Sequence, residues 1–241
     1  MDIKSIIDAS AYFGAGLCMG TGAVGAAIGE GYAAGEAVEG ISKQPAASGE
    51  ILKTMLVSMA IAESASIFAL VVAILLIFQK FSGNLYDAVG LISAGISMGV
   101  GACGAGVGSG FPGGTACMGI SRNPKAASQI TTNMLIGQAV AQTPAIFAML
   151  VSFILMYKSY PSHLTITYLC AILGAGICMG FGAIGPGIGG GLAAAYAAEG
   201  VAKNPLLSNV LTRIMLIGQA VSQSTSVYAL VVAFVLLFVV K

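Results

Sequence analysis

The chain has 241 residues, of which 57% are hydrophobic and only 8% charged, against roughly a quarter charged in an ordinary soluble domain. With a mean hydropathy of +0.95 it lacks the polar atoms to cover a water-facing surface, which excludes a soluble enzyme and points to an integral membrane protein. A net charge of +1 leaves neither a basic footprint for nucleic acid nor an acidic tail.

The first apolar segment runs over about 8–41 and follows a single lysine, Lys4. It is long, glycine-rich and repeated later, which argues against a cleavable signal peptide. It ends in Gly40-Ile41-Ser42-Lys43-Gln44-Pro45, which recurs as Gly119-Ile120-Ser121-Arg122-Asn123-Pro124 and as Gly200-Val201-Ala202-Lys203-Asn204-Pro205. The same offsets, 79 and 160, carry Gly20 onto Gly99 and Gly180, and Met55 onto Met134 and Met215. One unit is therefore present three times.

Within each unit the proline stops one helix and the loop sends the chain back. The second segment spans 47–79; the later pairs are 87–120 with 127–157 and 164–201 with 207–240, joined by 81–84 and 157–163. About 20 residues cross a hydrocarbon core, so these longer helices project beyond it. The expected fold is an all-α membrane protein of three tandem transmembrane hairpins, six helices in all, divided as 1–81, 82–160 and 161–241. An even number of helices per unit makes the repeats parallel. Lys43, Lys53, Arg122, Lys125, Lys203 and Arg213 lie near the hairpin loops, against Lys4, Lys80, Lys158 and Lys241 at the other side. That asymmetry puts the loops in the cytoplasm and the termini outside.

The first helix of each unit carries most of the 34 glycines. Their spacings of two and four thin the helix on more than one side, as an inner helix of a tight ring requires. No strand precedes them and no Gly-Lys-Ser/Thr follows, which argues against a phosphate-binding loop. The cysteines Cys18, Cys103, Cys117, Cys170 and Cys178 show no CxxC spacing and have no histidine nearby; they are expected as small buried packing residues.

Two carboxylates lie deep in apolar sequence, Glu30 on the first helix and Glu63 on the second. Counted from Pro45 they lie roughly 22 and 27 Å from the loop, at similar depth on an antiparallel pair. Each costs a few kcal/mol to insert, and two at one level require a function. They cannot both stay ionised without a counter-cation, so one holds a proton or both share an ion. Ser64 adds a hydroxyl oxygen beside Glu63. Glu36, Glu39, Glu50 and Glu199, near the loops, are read as solvated interfacial charges. The repeat offsets turn Glu63 into Gln142 and Gln223, Glu30 into Ser109 and Gly190, and Ser64 into Thr143 and Ser224. Pro144 is expected to kink the fourth helix and free a carbonyl near Val140. A parallel-repeat channel or carrier, with Glu30 and Glu63 as its permeation site, remains open on these residues alone.

Gly29-Glu30-Gly31-Tyr32-Ala33-Ala34-Gly35, Lys43-Gln44-Pro45 and Ala60-Ile61-Ala62-Glu63-Ser64 together resemble the c-type rotor subunit, or proteolipid, of the rotary ATP synthase. The resemblance covers essentially the whole chain, as three fused hairpins where the common form has one. The fusion is reminiscent of V-type relatives, while the local motifs are closer to the F-type. It implies a ring built with copies of itself or related proteolipids, in contact with membrane lipid and the central-stalk subunits of the ATPase head. The ring turns against a stator a-type subunit that presents an arginine and two aqueous half-channels. The protein would be non-catalytic and need no cofactor; ion flow past the stator is coupled to ATP synthesis or hydrolysis elsewhere.

By the same resemblance Glu63 is the ion-carrying carboxylate, and Glu30 stands where sodium-type rotors have Gln or Glu. The site lies between hairpins, completed by Ser224, the adjacent Thr225 and the Val221 carbonyl from a neighbouring chain, or by Thr143 and the Val140 carbonyl. The first set is favoured. The coupling ion is Na+ or H+, with sodium favoured because Glu30 and Ser64 supply more oxygens than a proton site needs. One carboxylate pair in three hairpins implies one ion per chain.

Overall fold

A computed structural model of the chain describes residues 2–160 and 165–240. Among them are seven α-helices: α1 (Ile3–Lys43), α2 (Ser48–Phe78), α3 (Leu85–Arg122), α4 (Ala127–Ala141), α5 (Thr143–Tyr157), α6 (Ile166–Lys203) and α7 (Ser208–Phe238). With α4 and α5 counted as one interrupted span, six stretches are long and apolar enough to cross a membrane.

The three hairpin loops fold alike because they carry the same chemistry. Gln44, Asn123 and Asn204 share φ near −140° and ψ of 76 to 87°, a non-helical conformation in keeping with the clash that keeps a residue before proline out of the α region. Each donates its N–H to the carbonyl four residues back, on Gly40, Gly119 or Gly200, at 2.9–3.0 Å. The proline then opens a single 3-10 turn, where its missing N–H costs nothing. The link between hairpins one and two ends in a capping box at the start of α3: Asn84 accepts from the Tyr86 N–H at 2.9 Å and Asp87 accepts from the Asn84 N–H at 2.7 Å.

The glycine-rich helices α1, α3 and α6 stand in a row; α2 fills the groove between α1 and α3, α4 and α5 the groove between α3 and α6, and α7 lies on α6. A Cβ at Gly25 would collide with the Cys103 carbonyl oxygen, and one at Gly110 with the Gly29 carbonyl oxygen, so the backbones touch where any side chain would hold them apart. Each hairpin is also stapled at one repeated position. Cys18, Ser97 and Cys178 donate to the carbonyls of Ala69, Ala148 and Ala229 at 3.3, 3.1 and 3.6 Å.

The row is open at both ends. Gly16, Gly20 and Gly31 on α1 meet nothing within 4 Å, although the equivalent Gly95, Gly99 and Gly110 of α3 are pressed against α1. The free face of α1 is thus the face by which α3 receives α1, the geometry of a head-to-tail interface.

At the loop ends Glu39 pairs with Lys43. Glu199 pairs with Lys203 at 2.7 Å and with Arg122 of the preceding hairpin at 3.7 Å. The fourth span is interrupted at Gln142, whose backbone stays in the αR region, because Pro144 has no N–H to return to Val140, as expected. Two expectations need adjustment. Cys170 is exposed on the single chain, and Cys103 and Cys178 are half-buried. Of the connection placed at 157–163, Tyr157 is the last residue of α5; His163 and the rest of 161–164, like Lys241, lie outside the described residues.

Gly25→Val should cost about 1–3 kcal/mol through overpacking of the α1–α3 contact, read as a lower thermal transition in detergent. Gly49→Ala, at an exposed glycine with open space around it, should change stability by no more than about 0.5 kcal/mol.

Candidate ion-binding site

The position occupied by Glu63, Gln142 and Gln223 in the three hairpins shows a directional pattern. Gln142, at the α4–α5 break, reaches back across the seam to the first hairpin, its Nε2 donating to the Ile61 carbonyl of α2 at 2.9 Å, and within its own hairpin donates to the Ser109 hydroxyl of α3 at 2.8 Å. Gln223 on α7 does the same to the second hairpin, its Nε2 donating to the Val140 carbonyl at 3.1 Å. That carbonyl is the one Pro144 leaves without its helical donor, as expected from the sequence.

One turn earlier a second pair of amides repeats the direction. Gln138 Nε2 donates to Ser58 Oγ and to the Ser109 carbonyl, both at 2.7 Å. Gln219 Nε2 donates to the carbonyls of Gly137 and Gly190, both at 2.9 Å. Sequence reasoning missed these two residues because Met59 occupies the equivalent place in the first hairpin. The available signal was a glutamine four residues ahead of another, in apolar sequence, in two copies of three. Both inter-hairpin seams within the chain are therefore stitched by two side-chain amides of the later hairpin bonded to the earlier one.

In the first hairpin Glu30 and Glu63 occupy the positions of Ser109 and Gln142. Glu63 is exposed. Ser64 Oγ donates to the Ile61 carbonyl at 2.6 Å, the acceptor that Gln142 also uses, so within the chain this hydroxyl belongs to the seam between hairpins one and two. At the opposite end of the row the same arrangement recurs uncovered: Ser224 Oγ donates to the Val221 carbonyl at 2.7 Å, and Thr225 Oγ1 to the Ser222 carbonyl at 3.0 Å. Val221 and Thr225 are exposed and Ser224 half-exposed; Thr143 sits half-buried beside the Gln142 break. The chain thus carries two carboxylates at one edge of the row, and a carbonyl with two hydroxyls at the other.

Gln138→Leu leaves the hydroxyl of Ser58 and the carbonyl of Ser109 without this donor inside a fully buried seam, at a cost of about 1–3 kcal/mol. Backbone hydrogen exchange over 58–62 and 109–113 should accelerate. Gln223→Leu, which removes one bond at a half-buried position, should have a smaller effect.

The model of one family, described as the ATP synthase C subunit, matches the chain three times, at residues 13–76, 92–155 and 173–236. Among its relatives, the chloroplastic ATP synthase c-type subunit of Ostreococcus tauri is 52% identical over 78 residues, 32% of this chain and 95% of that protein. The ATP synthase c-type subunit of Natranaerobius thermophilus is 47% identical over 80 residues, 33% of this chain and 92% of the relative. The chloroplastic counterpart of Euglena gracilis is 49% identical over 78 residues, covering 32% and 96% of the two chains. Each relative is nearly spanned by a third of this chain.

Proposed function

Because the chain belongs to the ATP synthase C-subunit family, as three fused copies of its hairpin, we propose that it is a rotor-ring subunit in which Glu63 carries the coupling ion, one per chain. Membership makes it a multi-pass membrane protein of the ATP synthase ring. The ion-carrying role and its stoichiometry rest on the seam geometry. Gln142 and Gln223 each reach back to the carbonyl of the preceding hairpin. Continued by the repeat, that reach carries Glu63 to the hairpin that precedes it in the ring, the third hairpin of a neighbouring chain. Glu30 and Glu63 of one chain then meet the Val221 carbonyl, Ser224 and Thr225 of the next.

The site is completed only by assembly, which accounts for an exposed Glu63 on the single chain and for unfilled glycine faces at its edge. In the membrane an ionised pair of carboxylates is costly unless it holds a cation or a proton. A stator arginine facing Glu63 would displace that ion into one aqueous half-channel and let another rebind from the second. The loop end, with Lys43, Arg122 and Lys203, would face the cytoplasm and the central stalk, and the termini the outside. The units 1–81, 82–160 and 161–241 move as one body.

The third to sixth spans bring no carboxylate at this depth among the described residues, so a ring of these chains takes up one ion where three one-hairpin subunits would take three. Each ion crossing 100 mV is worth about 2.3 kcal/mol. Fewer ions per turn lower the energy available per ATP, which suits ATP-driven pumping against a steep gradient, or synthesis under a strong one. Sodium fits the oxygen-rich set better than a bare proton.

Glu63→Gln should leave the ring assembled and abolish ion-coupled ATP hydrolysis. Carbodiimide should modify Glu63 in the native ring, with sodium slowing the reaction; no protection by sodium at fixed pH would assign the site to protons. An ion-to-ATP ratio that counts hairpins instead of chains would contradict the one-site stoichiometry. Ser224→Ala should weaken sodium protection about tenfold, the loss of roughly 1.4 kcal/mol of ligation.

A further inference from the structure

The seam between the first and second hairpins lacks a carboxylate but keeps other oxygens that the proposed Glu63 site uses. The Ile61 carbonyl, which also accepts from the Ser64 hydroxyl at 2.6 Å, and the Ser109 hydroxyl converge on one side chain, Gln142. Its Nε2 stands 2.9 Å from the carbonyl and 2.8 Å from the Ser109 hydroxyl, in a place only 6% exposed. An amide N–H and a hard cation make the same demand on such oxygens, that their lone pairs point inward. We propose that this seam is a dormant monovalent-cation site, its ion position held by the Gln142 side-chain amide, which keeps the seam closed while the ring turns. This rests on the reading of Glu63 as the ion carrier.

A second observation supports an ion-ready pocket. Gln142 Oε1 and Gln138 Oε1, four residues apart, are both buried without a partner, where the second seam has one such glutamine oxygen, Gln219 Oε1. Buried carbonyl oxygens are ordinarily satisfied. Two unused acceptors beside Ser109, whose hydroxyl and carbonyl receive the two amides, leave lone pairs for a cation or for the water that accompanies one.

The other internal seam is not equivalent. Gly190 stands where Ser109 does, so Gln223 Nε2 has the Val140 carbonyl alone, and its Oε1 lies 3.4 Å from the hydroxyl of Ser226 on the same helix. The two amide seams therefore differ: the first keeps a carbonyl and two hydroxyls but has Ser109 for Glu30 and Ala65 for Thr225, while the second, with Gly190, has lost the Ser109 hydroxyl as well.

The test is to restore the charge in the full chain. Gln142→Glu in a Glu63→Gln background, purified as the assembled ring, is treated with carbodiimide with and without sodium chloride, and the modified position is located by peptide mass. The new carboxyl should react and be protected by sodium, though less strongly than native Glu63, which has Glu30 beside it. Gln223→Glu in the same background should react with sodium protection at least about tenfold weaker, a difference of roughly 1.4 kcal/mol. A new carboxyl at 142 that is inert, or that sodium does not protect although it protects native Glu63, overturns the proposal while leaving the rotor function standing. An inert native Glu63 instead overturns the rotor function and the dormant site with it. Equal protection at 142 and 223 would refute the part assigned to Ser109. Should the Gln142→Glu ring not assemble, Gln142→Met decides. It keeps the volume and removes the donor, so hydrogen exchange around Ile61 should rise about tenfold; unchanged exchange would overturn the lock.

Discussion

In a hydrocarbon interior a polar side chain has no water to fall back on, and its partner must come from the protein. In this chain that requirement is met across hairpins: the amides of Gln138, Gln142, Gln219 and Gln223 all bond to the hairpin before their own. The rest of the architecture makes those bonds reachable. Only backbone contact between α1, α3 and α6, at positions such as Gly25 and Gly110 where a Cβ would collide with the next helix, brings the outer helices close enough for a glutamine to span a seam. The Pro144 break contributes the last acceptor, a Val140 carbonyl that the regular helix would have used internally.

The direction of those bonds gives the row two unlike edges. One edge offers Glu30 and an exposed Glu63; the other offers Val221, Ser224 and Thr225. Two neutral seams inside the chain and one charged seam between chains would leave a single mobile contact per protomer. Fusion of three hairpins then acts on coupling as well as on assembly, since two interfaces are held by amides that need no ion.

Much of this was legible in the residues themselves. The repeated Lys/Arg-Gln/Asn-Pro hexapeptide fixed the register, and the register located every counterpart of Glu30, Glu63 and Ser64 before any coordinate. Pro144 told of a freed carbonyl near Val140, and the structure supplies its donor. Other features were not legible. Gln138 and Gln219 escaped because the first copy has Met59 there, so a search keyed to the carboxylates passes them by. The direction of reach depends on which groove α2 enters, a property of three-dimensional packing that a periodic pattern leaves undetermined. Cys170 looked like its buried counterparts in composition, yet its face of α6 is uncovered on the single chain.

The central claim, that the ion site is assembled between the first hairpin of one chain and the third of the next, is tested most directly by a high-resolution cryo-electron microscopy map of the intact ring. We expect the Glu63 carboxylate beside the Val221 carbonyl and Ser224 of the neighbouring chain, either in contact at about 3 Å or with density for one ion between them, once per chain. Glu63 facing another part of the ring, or Val221 and Ser224 packed against a hairpin without a carboxylate, would contradict it.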